Sequence, residues 1–373
     1  MKKADELDRC IEGLRNSMPG VDWSAKVKLD IKRIVASQDT RAILLAAPLE
    51  DEMELFERFV RDILVKCGIN TIVLGVGYGF EFRCHPEVVE QPALSHENAR
   101  RIASVCRHHG IRLVPQMNLF GHQSFGRDKR PIGIIRAYPD MEEVGADEVT
   151  YQRCLCLTHP RLKALVCSLM DEMIDVFGTV DFHIGQDEAF EIGKCDRCKG
   201  LPVEVIYADW LNALHGHLSA RGVTTWMWGD RLLNGHIIPE RGAGYETSLC
   251  GTWKAIDMVP RDIMICDWHY RVLPYGHHSP SYWARHGFAF VVCPYNNTFA
   301  ADQLIVAAVA ADTPLFKGVF HTTWTRFAAF AEACFDLYPR YLSTHELDDY
   351  DVVGKEAPRG YKDACTFMHL FAL

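Results

Sequence analysis

The chain has 373 residues, of which 48 % are hydrophobic and 24 % charged, with a net charge of −9. That balance belongs to a folded globular chain long enough for one large domain. A surplus of negative charge offers phosphate backbones no attraction, so nucleic acid is excluded as the expected partner. No segment approaches the ~18 consecutive apolar residues of a membrane span, and no membrane partner is expected either.

Residues 1–40 read as a helical lead-in. The opening Met1-Lys2-Lys3-Ala4-Asp5-Glu6-Leu7 has basic residues with no apolar run behind them, unlike a secretory signal. The 14 cysteines are scattered through strand and helix patterns instead of being spaced as a small disulfide framework. We read them as mostly reduced and buried. A cytoplasmic location is the matching expectation. The oligomeric state stays open, with a homodimer as one candidate.

From residue 41 onward one punctuation mark recurs. A helical pattern ends in Gly, and a β-branched or apolar run begins within a few residues, at Gly68, Gly110, Gly178, Gly222 and Gly287. Glycine tolerates the left-handed position after a helix end, so each mark is a helix-to-strand junction. The apolar runs predict strands near Ala42–Ala47, Thr71–Tyr78, Arg112–Leu119, Phe182–Glu188, Thr224–Asp230, Ile263–Tyr270, Phe288–Tyr295 and Lys317–Trp324. They are continuous, as expected of strands buried on both faces. Between them lie amphipathic helices. Ser95 can cap the one carrying Ala99, Ile102, Ala103 and Cys106. The one after Pro160 shows Leu162, Leu165, Val166, Leu169, Met173, Val176 and Phe177 on one face, and Gly178 stops it. The connection Arg231–Arg261 is the weakest for a helix.

Eight βα units predict an α/β fold, a (β/α)8 TIM barrel over residues 41–340. An open doubly wound sheet is the alternative. Residues 341–373 form a C-terminal extension packed on the barrel.

In such barrels the chemistry lies at the carboxyl ends of the strands. Those ends carry Tyr78, the run Asn118 to His122, Asp187 and Glu188, Trp228 and Asp230, Asp267 to Tyr270, Pro294 to Asn297, and Trp324. One or two of these, such as Asp230, are accounted for by capping or closing the rim. The whole set is not. Trp228, Trp268 and Trp324 offer flat apolar faces of the kind on which sugar rings pack, with Asp, His, Asn and Tyr available for the hydroxyls. Trp226 lies deeper and is assigned to the core.

The pair Asp187-Glu188 closes the fourth strand, and an Asp-Glu dipeptide alone says almost nothing. Its surroundings are specific. His183-Ile184-Gly185-Gln186-Asp187-Glu188-Ala189 resembles the His-x-Gly-Gly-Asp-Glu signature of family 20 glycoside hydrolases, the β-N-acetylhexosaminidases. The run Gly110–His122, ending Leu119-Phe120-Gly121-His122, is similar to that family's third strand. Trp226-Met227-Trp228-Gly229-Asp230 is similar to its fifth.

The resemblance implies a retaining exo-β-N-acetylhexosaminidase that releases terminal GlcNAc or GalNAc by substrate-assisted catalysis, in which the substrate's 2-acetamido oxygen is the nucleophile. It assigns Glu188 as general acid and base. Asp187 would orient the acetamido group and stabilise the oxazolinium. His122, Trp228, Asp267, Tyr270 and Trp324 become candidate sugar contacts, and His183 a structural hydrogen-bonding group beneath the pair. The partner is a small saccharide or glycoconjugate, and catalysis needs no cofactor. Two departures bear on the sugar. Gln186 stands where the motif has its second Gly, and the first strand, ending Ala46-Ala47-Pro48-Leu49-Glu50, has no counterpart of the family's sugar-binding Arg. A retaining glycosidase for another β-sugar and a non-catalytic carbohydrate-binding barrel are the competing readings.

Cysteines form a second constellation. Cys195-Asp196-Arg197-Cys198-Lys199-Gly200 has the form of a zinc knuckle, and Cys154-Leu155-Cys156 lies in the preceding long βα loop. Together Cys154, Cys156, Cys195 and Cys198 make a candidate four-thiolate structural zinc site, against which stand unpaired thiols in a reducing cell. His215-Gly216-His217 falls inside a helix and is read as surface. Gly75-Val76-Gly77-Tyr78-Gly79 lacks the dinucleotide-binding spacing.

Overall fold

The computed structural model describes residues 31–238, 244–344 and 360–372. Most of the lead-in predicted for residues 1–40 and the first half of the predicted extension, 345–359, lie outside the described residues. Eight strands alternate with helices: β1 Thr40–Ala46, β2 Thr71–Gly75, β3 Arg112–Gln116, β4 Asp181–His183, β5 Thr224–Trp228, β6 Met264–Trp268, β7 Phe290–Cys293 and β8 Phe316–His321. They close into a barrel in the order β1-β8-β7-β6-β5-β4-β3-β2. Around the site the pairing is parallel, with Gln116 opposite His183, His183 opposite Trp226 and Trp228 opposite Cys266. The open doubly wound alternative is excluded by the closure.

The five glycine marks behave as the sequence implies: Gly68, Gly110, Gly178, Gly222 and Gly287 all have φ between 60° and 76°. The helix Leu162–Phe177 buries all seven residues assigned to its apolar face, and the Gly178 N–H donates to the Ile174 carbonyl at 2.8 Å. Ser95 Oγ accepts the Asn98 N–H at 3.2 Å, capping the helix His96–His108. The connection after β5 has only 3₁₀ turns among its described residues, Asp230–Leu232 and Thr252–Met258. No helix among the described residues is long and apolar enough to cross a membrane.

The chain divides into two compact units. One holds the described residues up to Ile72, His109–Arg112 and those from Asp267 onward. Its C-terminal helix Tyr361–Phe371 packs Phe367 against Phe330 and His321, with ring centroids 5.8 and 6.0 Å apart. The other holds Val73–His108 and Leu113–Cys266. It carries two long loops, one between β3 and the helix at Leu162, the other between β4 and the helix Val203–Ala220. Every residue of the carboxylate site described next belongs to this second unit.

Candidate active site

The fourth strand is shorter than its sequence implies. It ends at His183, so Asp187 and Glu188 stand on the loop beyond it. The cause is Gly185, at φ 72°, where a Cβ would meet the Asn118 Cα at 2.5 Å. The chain then runs through Gln186 at φ 87° and Glu188 at φ 48°. Left-handed backbone costs a residue with a side chain about 1–2 kcal/mol, which the surrounding structure must supply. The same turning lets two adjacent carboxylates converge, which a regular strand with alternating faces would prevent. Position 186 therefore takes a conformation that glycine adopts most readily. Gln186 is held there, fully buried, by Nε2 donating to the Ile184 carbonyl at 3.1 Å. His183 Nδ1 accepts the Gly185 N–H at 3.1 Å and its ring packs on Trp228 at 4.5 Å, the structural role expected of it.

His122 comes from the loop after β3 and is itself left-handed, at φ 55°. Its Nε2 lies 3.1 Å from Asp187 Oδ2 and 3.1 Å from Glu188 Oε2. Burial opposes a charge on this imidazole, but the charge and hydrogen bond of Asp187, followed by those of Glu188, outweigh it and raise His122 to about 10. The surroundings therefore favour the imidazolium form of His122 at neutral pH. Asp187 is the mirror case. Burial works to raise it, yet the His122 charge and hydrogen bond bring its carboxyl below the ordinary value. Asn118 Nδ2 donates to Asp187 Oδ1, and Asn118 Oδ1 in turn accepts the N–H groups of Phe120 and Gln186, each at 3.3 Å.

Glu188 is fixed from its main chain. Its N–H donates to Asp230 Oδ2 at 3.0 Å, and the same oxygen accepts Arg231 Nε at 2.7 Å. Asp230 and Arg231 are both buried, and the guanidinium also reaches the carbonyls of Tyr245 and Thr247, each at 2.8 Å. Asp230 thus does more than close the rim, and Arg231 is a positioning residue that the sequence did not reveal. Apart from its neighbour Asp230, its partners are main-chain carbonyls, among them those of Gly244, Tyr245 and Thr247 in the same connection, which leave no motif.

Tyr151 is a second residue that sequence reasoning missed. Its ring meets His122 edge-on at 5.9 Å and Tyr245 at 5.2 Å, and Phe190 packs on Tyr245 at 5.1 Å. Burial, then the negative charge of Glu188, pushes the Tyr151 hydroxyl up to about 12, which keeps it a hydrogen-bond donor at neutral pH. Trp228, the last residue of β5, is 1 % exposed and contributes its ring from below, against His183. Trp226 lies in the core and donates Nε1–H to Asp181 at 3.0 Å.

The remaining predicted contacts belong to the other unit. Trp324 is half exposed and its Nε1–H donates to the Tyr270 hydroxyl at 3.0 Å. The Tyr270 ring touches Trp268 at 5.1 Å and Tyr295 at 5.2 Å, giving that unit an aromatic cluster of its own. Asp267 is buried. It accepts Ser279 Oγ at 2.7 Å and lies 3.3 Å from His269 Nε2.

Two expectations outside the carboxylate site need correction. His215 is not a surface residue: it is 9 % exposed, with Nδ1 3.1 Å from Thr225 Oγ1 and Nε2 3.2 Å from Asp262. The second concerns the cysteines. Cys156, Cys195 and Cys198 do come together, but their fourth companion is Glu143. Cys154 directs its sulfur to the Gln152 carbonyl, 3.6 Å away. Glu142 bridges Leu155, the Glu143 N–H donates to Cys154 O at 3.0 Å and the Cys156 N–H to Met141 O at 2.8 Å, so Glu143 lies opposite Cys154 in an antiparallel pair. Its Oε1 accepts the Lys194 and Cys195 N–H groups at 2.7 and 3.1 Å, which brings the carboxylate to the cysteines of the other loop.

The family model described as "Glycosyl hydrolase family 20, catalytic domain" matches residues 79–347. No curated protein matches the sequence. Among solved structures, Flavobacterium johnsoniae chitobiase superposes with a TM-score of 0.58 at 17 % identity, over 90 % of this chain and 48 % of that one. The β-N-acetylhexosaminidase of Bacteroides fragilis gives 0.56 at 15 % identity, over 85 % and 68 %. Dispersin B gives 0.50 at 15 %, over 90 % and 99 %. At these identities the likeness is one of fold, and this chain spans about half the length of the chitobiase.

Proposed function

The chain belongs to glycosyl hydrolase family 20, and we propose that it is a retaining exo-β-N-acetylhexosaminidase that removes terminal β-linked GlcNAc or GalNAc by substrate-assisted catalysis. The observation that carries this reading is the convergence of Asp187 and Glu188 on one His122 nitrogen, with Asn118 holding the second oxygen of Asp187. Two carboxylates this close together leave no room for a water between them of the kind inverting enzymes need. They suit a reaction whose nucleophile arrives with the substrate.

In the first half-reaction the acetamido carbonyl oxygen bonds to the anomeric carbon as the bond to the aglycone oxygen breaks. Glu188 gives its proton to that leaving oxygen. Asp187, held ionised, faces the acetamido N–H and stabilises the positive charge of the oxazolinium. In the second half Glu188 takes a proton from water, whose oxygen bonds to the anomeric carbon as the ring opens, so configuration is retained. Tyr151 and the His122 imidazolium supply donors around the pair.

One observation favours the neighbouring reading, a retaining glycosidase for a different β-sugar. The family match begins at residue 79, after β1 and β2, and the carboxyl end of β1 carries no Arg, its Arg41 standing at the amino end and donating to the Gly68 carbonyl. A panel of aryl β-glycosides decides between them. Turnover of the GlcNAc or GalNAc glycoside, reduced about 10²–10⁴-fold in Glu188→Gln, is the expected result. Turnover confined to sugars without a 2-acetamido group would reject the proposed specificity, and binding without turnover on any glycoside would reject hydrolysis.

A further inference from the structure

We propose that Glu143, Cys156, Cys195 and Cys198 hold a structural zinc ion that ties together the two long loops bearing the carboxylate site. The four candidate ligand atoms lie within 4.8 Å of one another. Cys156 Sγ is 3.4 Å from Cys195 Sγ and 3.7 Å from Cys198 Sγ, and Cys198 Sγ is 3.3 Å from Glu143 Oε2. Zinc–sulfur bonds of ~2.3 Å at tetrahedral angles put two sulfurs about 3.8 Å apart and a sulfur and a carboxylate oxygen about 3.5 Å apart. The observed edges are near those of that tetrahedron and far from the ~2.05 Å of a disulfide.

The carboxylate is pre-aimed. Glu143 Oε1 accepts the Lys194 N–H at 2.7 Å and the Cys195 N–H at 3.1 Å, which turns Oε2 toward the sulfurs. Glu143 is 2 % exposed, and its Oε2 faces the Cys198 thiol, a weak donor 3.3 Å away, where a cation would be the stronger partner. Nearby basic side chains are engaged elsewhere, Lys194 by Glu191 and Arg153 by Glu142. A cation among the four groups resolves the imbalance. The Thr158 hydroxyl lies 3.1 Å from Cys198 Sγ and 3.5 Å from Cys156 Sγ, placed to support the ligands from outside the coordination shell.

The donor set selects the metal. Three thiolates favour soft or borderline ions, and the carboxylate departs from the all-cysteine set that holds iron–sulfur clusters. Four protein ligands fill a tetrahedral zinc site, so the ion would be structural and would take no part in the reaction. Its consequence is mechanical. Glu143 and Cys156 belong to the loop that carries His122 and Tyr151, and Cys195 and Cys198 to the loop that carries Asp187 and Glu188. The Thr150 N–H donates to Glu191 at 2.8 Å, a second tie between the same two loops. The zinc site does not depend on which sugar the enzyme takes.

The test is metal content of the full chain purified without chelator from zinc-supplemented cells, with cobalt(II) reconstitution as a second readout. We expect about one zinc per chain, and in the cobalt form a thiolate-to-metal charge-transfer band with tetrahedral visible absorption. Both should vanish in C195S/C198S, and Thr158→Val should weaken zinc in competition with a chelating dye by about 10–100-fold. A wild-type chain that carries no zinc and takes up neither ion, or one with a Cys156–Cys195 disulfide by mass spectrometry, would overturn the proposal. Both of those outcomes are read on the wild-type protein, so they decide the matter even where C195S/C198S fails to fold.

Discussion

The same two loops build both clusters of the second unit, yet the clusters differ in what lies at their centre. In one, His122 Nε2 stands between Asp187 and Glu188. In the other, Glu143 and three thiols gather with no side-chain cation in the group. The access differs too: the His122 side chain is 30 % exposed, while Glu143, Cys156 and Cys198 are buried and Cys195 alone of that group is part-exposed. An imidazolium already inside a carboxylate pair does what a metal would do, neutralising charge, but it does so with a proton that can move. A closed set of thiolates and a carboxylate has no mobile proton to offer chemistry and many electrons to offer a metal. What separates a reaction site from an anchoring site here is the identity of the central cation and whether solvent and substrate can reach it.

The strongest way to break that comparison is to remove charge from the first cluster and watch both. Asp187→Asn keeps shape and the contact with Asn118 but loses the negative charge that would face the oxazolinium. We expect kcat on the aryl GlcNAc substrate to fall about 10²–10³-fold, the usual cost of deleting one electrostatic stabiliser. Zinc content should be unchanged. A rate within about threefold of wild type, far short of that cost, would show that Asp187 does not face developing positive charge. Lost zinc would show that the clusters are not independent.

The sequence was a better guide to the first cluster than to the second, for a physical reason. Asp187 and Glu188 are neighbours in the chain, in a motif that carries its own turn glycine, and His122 ends a second motif. The strands were overrun at their carboxyl ends because the rim residues keep strand-like composition after the hydrogen-bond ladder stops. β4 is the exception: it ends at His183, and beyond it only Ile184 is apolar before Gly185-Gln186-Asp187-Glu188. Glu143 is different. It has no motif, lies far from the knuckle cysteines in the chain, and reaches them by accepting the Lys194 and Cys195 N–H groups. Cys-x-Cys spacing points to Cys154 because those hydrogen bonds leave no trace in the sequence. Arg231 was hidden because, apart from Asp230, its partners are carbonyls.

A smaller effect sharpens the role of His122. Its folded value is raised above its ordinary 6.5 to about 10, so the stability it contributes is fully present below 6.5, declines above that, and is gone once pH passes about 10. Asp187 acts in the opposite sense: its lowered carboxyl contributes above its ordinary 3.8 and loses that contribution as pH falls below it. Thermal unfolding followed from neutral to alkaline pH should therefore show a decline that His122→Asn flattens. Parallel curves for wild type and variant would mean that the imidazole is not charged in the folded protein.

The smallest effect falls on the cysteine that the spacing favoured and the structure sets aside. Cys154 is buried and bonds within its own loop, to the Gln152 carbonyl. Cys154→Ala removes one sulfur from a packed interior, at a cost of about 1 kcal/mol in unfolding free energy. Zinc stoichiometry and the cobalt spectrum should stay as in wild type, because Glu143 supplies the fourth ligand. If Cys154→Ala abolishes the cobalt–thiolate band while Glu143→Gln preserves it, the four-thiolate site read from spacing is correct and the carboxylate is a bystander. Since the two variants make opposite predictions on one spectrum, the comparison between a proton-centred and a metal-centred cluster can be decided without any substrate.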